Sequence, residues 1–310
     1  MSAALPMDAG AVTARAPAKV NVHLAVGPLR SDGFHELRTV YLAVSLFDTV
    51  TALPGEGLAL TVAGEGSDVV PTDRANLVWR AAELLAEHAG VPADATLHIA
   101  KSIPAAAGLA GGSADAAAAL VALDALWGTR ASRSDLTELA ARLGSDVPFS
   151  LQGGIALGSG RGEQLSPVLA RSPWNWVLGI ADEGLSTPAV YAELDRLRAE
   201  GRIPDGTDLP SVEPVIAALR SGPPAALAAA LCNDLQAPAL TLRPPLRRAL
   251  RAAVDAGAAG VLVSGSGPTV AALAEDEQGA VRLTAALAGA GVFRTVRAVH
   301  GPVPGARLVG

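Results

Sequence analysis

Cysteine is almost absent from these 310 residues, and Cys232 stands alone. One thiol excludes an intramolecular disulfide framework and a cysteine-built zinc site, and it reads as a small buried hydrophobe. The five histidines (His23, His35, His88, His98 and His300) show no HExxH or HxxxH spacing, so no resident metal site is expected. Long apolar runs are missing too. The most apolar stretch, Ala116 to Trp127, is broken by Asp124 and is far short of a bilayer span. The start MSAALPMDAG lacks the basic and apolar blocks of a secretory leader, so a cytoplasmic protein without a membrane partner is expected.

Basic clusters are also scarce. Arg243, Arg247, Arg248 and Arg251 are the densest, but they alternate with leucines as a solvated helix face does, so no nucleic-acid partner is expected. With a net charge of −6 and a pI near 5.4, the bulk field repels anions. An anionic substrate would therefore need a locally positive pocket. Three familiar site signatures are absent: GxxxxGK[ST], GxGxxG and GxSxG.

The remaining pattern is mixed. Residues 1–11 read as a loose tail. Strands are predicted at 14–26, 36–46, 48–53 and 58–64, with turns at Pro54-Gly55 and Gly64-Glu65-Gly66. A helix over 77–88 has Asn76 at its N-cap and Gly90 beyond its end. A strand at 95–101, a glycine-rich loop at 104–112 and an alanine-rich helix over 113–127 follow. Another helix runs from Ser132–Asp135 to Gly144, then loop and strand over 153–162. A strand opens at Trp174. Helices are predicted at 187–199, 212–220, 223–231, 244–256 and 279–290. Residues 261–273 read as strand, tight turn and strand, and 292–299 as a last strand. The mixed order implies an α+β architecture with a boundary near 155–172.

The loop Ile103-Pro-Ala-Ala-Ala-Gly-Leu-Ala-Gly-Gly-Ser-Ala-Asp115 is the most informative segment. Small residues let the backbone approach a ligand, and a helix N-terminus offers unpaired N–H groups and partial positive charge. Together they can cradle phosphate. The alternative is a helix packed closely on a sheet through small side chains. Ser113 is either a cap or a phosphate or Mg²⁺ contact.

This loop resembles the second motif of the GHMP kinases, the glycine-rich P-x-x-x-G-L stretch followed by a serine at the head of a helix. Further segments are similar to one branch of that family. They are Ala16-Pro-Ala-Lys-Val-Asn-Val22, Asp32-Gly-Phe-His-Glu-Leu37, Leu143-Gly-Ser-Asp-Val-Pro-Phe149 and the third family motif at Ser264-Gly-Ser-Gly-Pro-Thr269. They run in family order. The resemblance implies an α+β, two-domain GHMP kinase fold. An ATP-binding domain of the ribosomal protein S5 domain 2-like type would span 12–165, and a ferredoxin-like α/β domain 166–310. It implies ATP and Mg²⁺ as cofactors and a small-molecule substrate, a cytidine diphosphate-linked methylerythritol of the non-mevalonate isoprenoid pathway. It also implies a monomer or weak homodimer.

The site residues come from the same resemblance. Asp146 is implied as catalytic base, though its place between Gly144 and Pro148 also suits a turn or cap aspartate. Lys19 is implied as its partner, stabilising charge on the attacking hydroxyl; otherwise it is an edge lysine. Asn21 and His35 are implied substrate contacts, with Phe34 and Tyr191 sandwiching the cytosine ring. His35 could equally be a turn residue and Tyr191 a core residue. Thr187 is either a substrate contact or a helix cap. For the nucleotide, the family loop maps onto Pro104, Ala105, Ala106, Ala107, Gly108, Leu109, Ala110, Gly111, Gly112, Ser113 and Ala114, flanked by Asn76 and Lys101. Gly265 and Gly267 would support that loop. Ala106, Ala107 and Ala110 stand where many members have glycine, which disfavours positive φ there. Other GHMP kinases, acting on homoserine, mevalonate or a sugar, remain rivals, as does a non-catalytic nucleotide-binding protein on the same fold.

Overall fold

A computed structural model describes residues 10–170 and 173–309. The proposed tail over 1–11 lies mostly outside the described residues, and the proposed boundary at 155–172 ends outside them. The first strands, β1 (Val12–Leu29) and β2 (His35–Leu53), form one long antiparallel hairpin closed by an Arg30–Phe34 turn, with Gly33 at φ 82°. The two strands predicted at 36–46 and 48–53 are thus one. Their pairing slips at Pro17/Ala18 and again at Asn21/His23. Pro17 cannot donate a ladder hydrogen bond, so a bulge is the natural accommodation. The two irregularities bracket Lys19 and Asn21, which share a face of the strand.

The chain continues through β3 (Leu58–Gly64), α1 (Leu77–Ala89), β4 (Ala95–Lys101), α2 (Gly111–Trp127), α3 (Arg133–Leu143), α4 (Val147–Gln152), β5 (Ile155–Ser159) and β6 (Gln164–Pro167). Then come β7 (Trp174–Ile180), α5 (Thr187–Ala199), α6 (Glu213–Ser221), α7 (Pro224–Ala230), β8 (Cys232–Asn233), α8 (Gln236–Leu242) and α9 (Leu246–Asp255). β9 (Gly260–Val263), β10 (Val270–Leu273), α10 (Glu277–Gly289), β11 (Thr295–Gly301) and β12 (Arg307–Leu308) complete it. The short α4 and α8 were not expected, and neither were β8 and β12.

Two sheets carry the molecule. The first has the order β12-β1-β2-β4-β3, with β5 on β2, β6 on β5 and β8 parallel to β1. The second runs β11-β7-β10-β9. Helix α2 lies against β1 and β2 with α1 and α3 beside it, and its alanines Ala114, Ala116–Ala119 and Ala122 are fully buried. Side chains this small let the helix sit close to the sheet while apolar all round. Along β7 the two-residue period separates two cores. Trp176 and Leu178 pack with the first sheet, and Val177 packs with α9 and α10. The larger core therefore draws on both sheets and joins the lobes.

Candidate active site

A pocket forms where β1, the α2 N-terminus and the α4 N-terminus converge. Asp146 sits at the N-cap of α4 with Pro148 in its first turn, which fixes the carboxylate at the mouth of a short rigid helix. Across from it, the Lys19 Nζ lies 3.8 Å from Asp146 Oδ2. The same ammonium donates to Asn21 Oδ1 at 2.5 Å and to the Gly108 carbonyl at 3.0 Å. Asn21 in turn donates to Thr39 Oγ1 at 2.8 Å. Lys19 is 5% exposed, and its burial lowers the pKa while Asp146 opposes that shift. Tyr41 donates its hydroxyl to Asp146 Oδ1 at 3.1 Å and stacks on Phe149. Burial first, and then the Asp146 charge, push the Tyr41 pKa far up, so it stays a donor.

The glycine-rich loop forms the pocket's other wall. Ala106, Ala107, Gly108 and Ala110 to Ser113 line it beside Lys19 and Asp146. Pro104 to Ala107 also line an adjoining cleft with Gly66, Asp182 and Arg294. Leu109 and Ala114, also expected at the nucleotide, are buried in the core. The 264–269 turn backs the loop: Ser264 Oγ donates to the Gly108 carbonyl at 3.1 Å, and a Cβ on Gly108 would lie 2.1 Å from the Ser264 carbonyl oxygen. Ala106 and Ala110 do adopt positive φ, 50° and 59°, against the expectation from their side chains. Each accepts a strain of about 1 kcal/mol that glycine would avoid.

Asn76 and Lys101 lie apart from these walls. Asn76 caps α1, accepting from Val78 N at 2.8 Å and donating to the Pro71 carbonyl at 2.7 Å. Lys101 lies beneath the loop. Its ammonium pairs with Asp48 and, at 2.7 Å, with Asp115, and all three side chains are buried. The backbone N–H groups of Ser102 and Ile103 donate to Asp48 Oδ1 at 2.5 and 2.8 Å. Burial opposes the Lys101 charge, but Asp115 and Asp48 outweigh it and raise the pKa. Burial pushes Asp115 up to about 8. Lys101, expected to flank the nucleotide loop, lies beneath the α2 N-terminus with its ammonium paired to the two carboxylates.

A second cleft of about 570 Å³ opens from the pocket toward the β1–β2 turn. Phe34, His35, Tyr191, Thr187 and Asp146 all line it. His35 is buried, with its Nε2 2.9 Å from Asp195 Oδ1 and its ring 5.1 Å from that of Tyr191. Phe34 is exposed over the opening, with the Arg161 guanidinium 4.9 Å from its ring centroid. Thr187, the first residue of α5, shares a 2.8 Å hydrogen bond with Ser266 Oγ. Asn21, expected to contact substrate, lines the first pocket beside Lys19, hydrogen-bonded to Lys19 and Thr39. The sequence reading missed Tyr41, Asp48, Asp115, Arg161 and Asp195. Tyr41 had one usable signal, a hydroxyl alternating onto the same strand face as Thr39.

Comparison with known proteins follows the same outline. Residues 76–154 match the family model described as GHMP kinases N terminal domain, and residues 215–292 match GHMP kinases C terminal. The chain is 59% identical over 298 residues to a protein of Rhodococcus jostii (strain RHA1) named 4-diphosphocytidyl-2-C-methyl-D-erythritol kinase, covering 96% of this chain and 95% of that protein. A protein of Mycobacterium tuberculosis (strain ATCC 25618 / H37Rv) with the same name is 56% identical, covering 99% and 96%. A crystal structure of 4-(cytidine 5'-diphospho)-2C-methyl-D-erythritol kinase superposes with a TM-score of 0.74 at 35% identity, covering 96% and 99%. A homoserine kinase structure from Cytophaga hutchinsonii reaches 0.75 at 19% identity over 99% and 100%, a likeness of fold.

Proposed function

Since this chain belongs to the GHMP kinases, with 4-diphosphocytidyl-2-C-methyl-D-erythritol kinases as its close relatives, we propose that it moves the γ-phosphoryl group of ATP to the 2-hydroxyl of 4-diphosphocytidyl-2-C-methyl-D-erythritol. The observation that carries the chemistry is the buried Lys19 ammonium 3.8 Å from Asp146, facing the small-residue loop. Asp146 accepts the hydroxyl proton as the oxygen attacks. Lys19, oriented by Asn21 and the Gly108 carbonyl, stabilises the charge on that oxygen. Tyr41 holds the carboxylate by its other oxygen. The loop backbone and the α2 N-terminus hold the phosphates, with the adenosine directed toward the cleft lined by Pro104 and Gly66.

Among the described residues no cluster of three acidic or histidine side chains is placed to cage a metal ion. Mg²⁺ fits as a companion of the nucleotide, with Ser113 offering a hard oxygen donor at the loop mouth. When bound, it neutralises charge on the phosphate oxygens. In the second cleft, His35, Tyr191 and Phe34 receive the cytosine. We divide the chain into a nucleotide-binding domain over 12–165 and a second domain over 166–310.

The test is ATP-dependent ADP release with 4-diphosphocytidyl-2-C-methyl-D-erythritol, with Asp146→Asn alongside. Turnover by the parent enzyme and its collapse in the variant are expected. Turnover with homoserine or mevalonate instead would overturn the cytidine cleft but keep the kinase chemistry. Nucleotide binding without turnover on any alcohol would overturn both.

A further inference from the structure

The acceptor proposed above is anionic, and the protein's net charge of −6 opposes it. The cleft itself carries Asp146 at one end and Asp195 at the other. The nearby polar groups are already engaged. Lys19, in the adjoining pocket, is held by Asn21, Gly108 and Asp146, and the His35 ring by Asp195. Arg161 is different. Its Nε lies 3.9 Å from Glu163, but among the described residues no acceptor makes a hydrogen bond to its guanidinium. It keeps a planar fork of donors suited to a phosphate edge.

The backbone fixes where that fork hangs. Arg161 occupies the tight turn between β5 and β6, with Gly160 and Gly162 at φ 69° and 103°. Leu37 N donates to the Gly160 carbonyl at 2.7 Å, and Gly160 N donates to Glu36 Oε1 at 3.0 Å. At the turn's other side, a Cβ on Gly162 would lie 2.3 Å from the Tyr41 Oη. The turn is therefore stitched to β2 between His35, at the cytosine end, and Tyr41, which holds Asp146. Those two β2 residues lie on the order of 20 Å apart at ~3.3 Å per strand residue. Arg161 lines the cleft together with His35 and Asp146, the two ends that a diphosphate-linked cytidine and alcohol would occupy.

We infer that Arg161 binds the diphosphate of the phosphoryl acceptor and so selects a nucleoside diphosphate-linked alcohol over a free one. This rests on the cytidine assignment of the cleft. Its position over Phe34 keeps the guanidinium aimed across the cleft before substrate arrives. Glu163, which accepts from the Arg161 backbone N–H at 2.7 Å, holds the turn rather than quenching the fork.

Calorimetric titration with cytidine and with cytidine 5′-diphosphate separates charge recognition from stacking. The parent protein should bind the diphosphate more tightly. Arg161→Met should weaken diphosphate binding about tenfold or more, as loss of a charge-assisted contact does, and leave cytidine binding unchanged. Arg161→Lys should recover part of the difference. In turnover, Arg161→Met should raise KM for the acceptor with kcat within a factor of about two. Equal weakening of both probes would mean that Arg161 only braces Phe34, and would overturn the inference. So would unchanged diphosphate binding in Arg161→Met, or equal binding of both probes by the parent. A parent protein that binds neither probe would overturn the cytidine assignment and this inference together.

Discussion

The Lys19 ammonium and the Asp146 carboxylate face each other at 3.8 Å, one rising from a bulged strand and the other from a helix N-terminus. Lys19 spends its remaining donors on Asn21 and Gly108. Lys19→Met should therefore lower kcat by about 10²–10³, the scale of losing one preorganised charge-stabilising donor. Binding of ATP analogues should change far less. Single-turnover phosphorylation checks this, and a Lys19→Met enzyme with normal kcat would remove the residue from the chemistry.

Tyr41 donates to the other oxygen of Asp146 from a buried position. Tyr41→Phe should keep the ring stack on Phe149 and lose only that hydrogen bond. We expect kcat to fall several-fold, with stability changed by about 1 kcal/mol. Chemical denaturation beside steady-state kinetics separates the two effects.

The buried cluster beneath the loop holds one cation between two carboxylates. Lys101→Met would leave Asp48 and Asp115 facing each other without compensation, at a cost of about 3–5 kcal/mol. Asp115→Asn should be much milder. With a folded pKa of about 8 against 3.8 for the free group, Asp115 binds a proton in the folded state that the unfolded chain has released. The folded state thus binds more protons between those pH values, and this carboxyl lowers stability as pH rises through them. Unfolding midpoints near pH 8 should place Asp115→Asn close to or above the parent, and Asp48→Asn well below.

His23 lies 2% exposed, with neither ring nitrogen hydrogen-bonded among the described residues. Burial lowers its pKa below the ordinary 6.5, against the pull of Asp234. The unfolded chain takes up this proton first as pH falls, so stability drops below about pH 6.5. His23→Leu removes the titration. Its unfolding midpoint should decline less than the parent's between about pH 7.5 and about pH 5.5.

Much of this was legible in the sequence because local rules and tertiary demands agreed. Ser132 and Asp135 read as a helix start, and they form a reciprocal capping box. Gly128 follows α2 and adopts the left-handed conformation that ends a helix. The alternation along β4 matches its burial. The misses have physical causes. Helices α4 and α8 are six and seven residues long, too short for a 3.6-residue period to stand out. The partners of Lys101 were not legible, since only packing brings Asp48 and Asp115 to it. Arg161 lies in an unremarkable glycine turn, and nothing in its neighbours in sequence reveals that β2 holds the turn over a cleft. Ala106 and Ala110 show the opposite failure: their side chains argued against a conformation that the surrounding contacts impose.

The contact between Gly108 and Ser264 joins segments 156 residues apart. The glycine-rich loop is therefore not a portable cassette. A fragment ending before Ser264 would leave the loop without its rear wall. ATP handling should then emerge late during synthesis, after the second lobe has closed behind the loop. An unfinished chain would be spared futile hydrolysis of the nucleotide it is built to use.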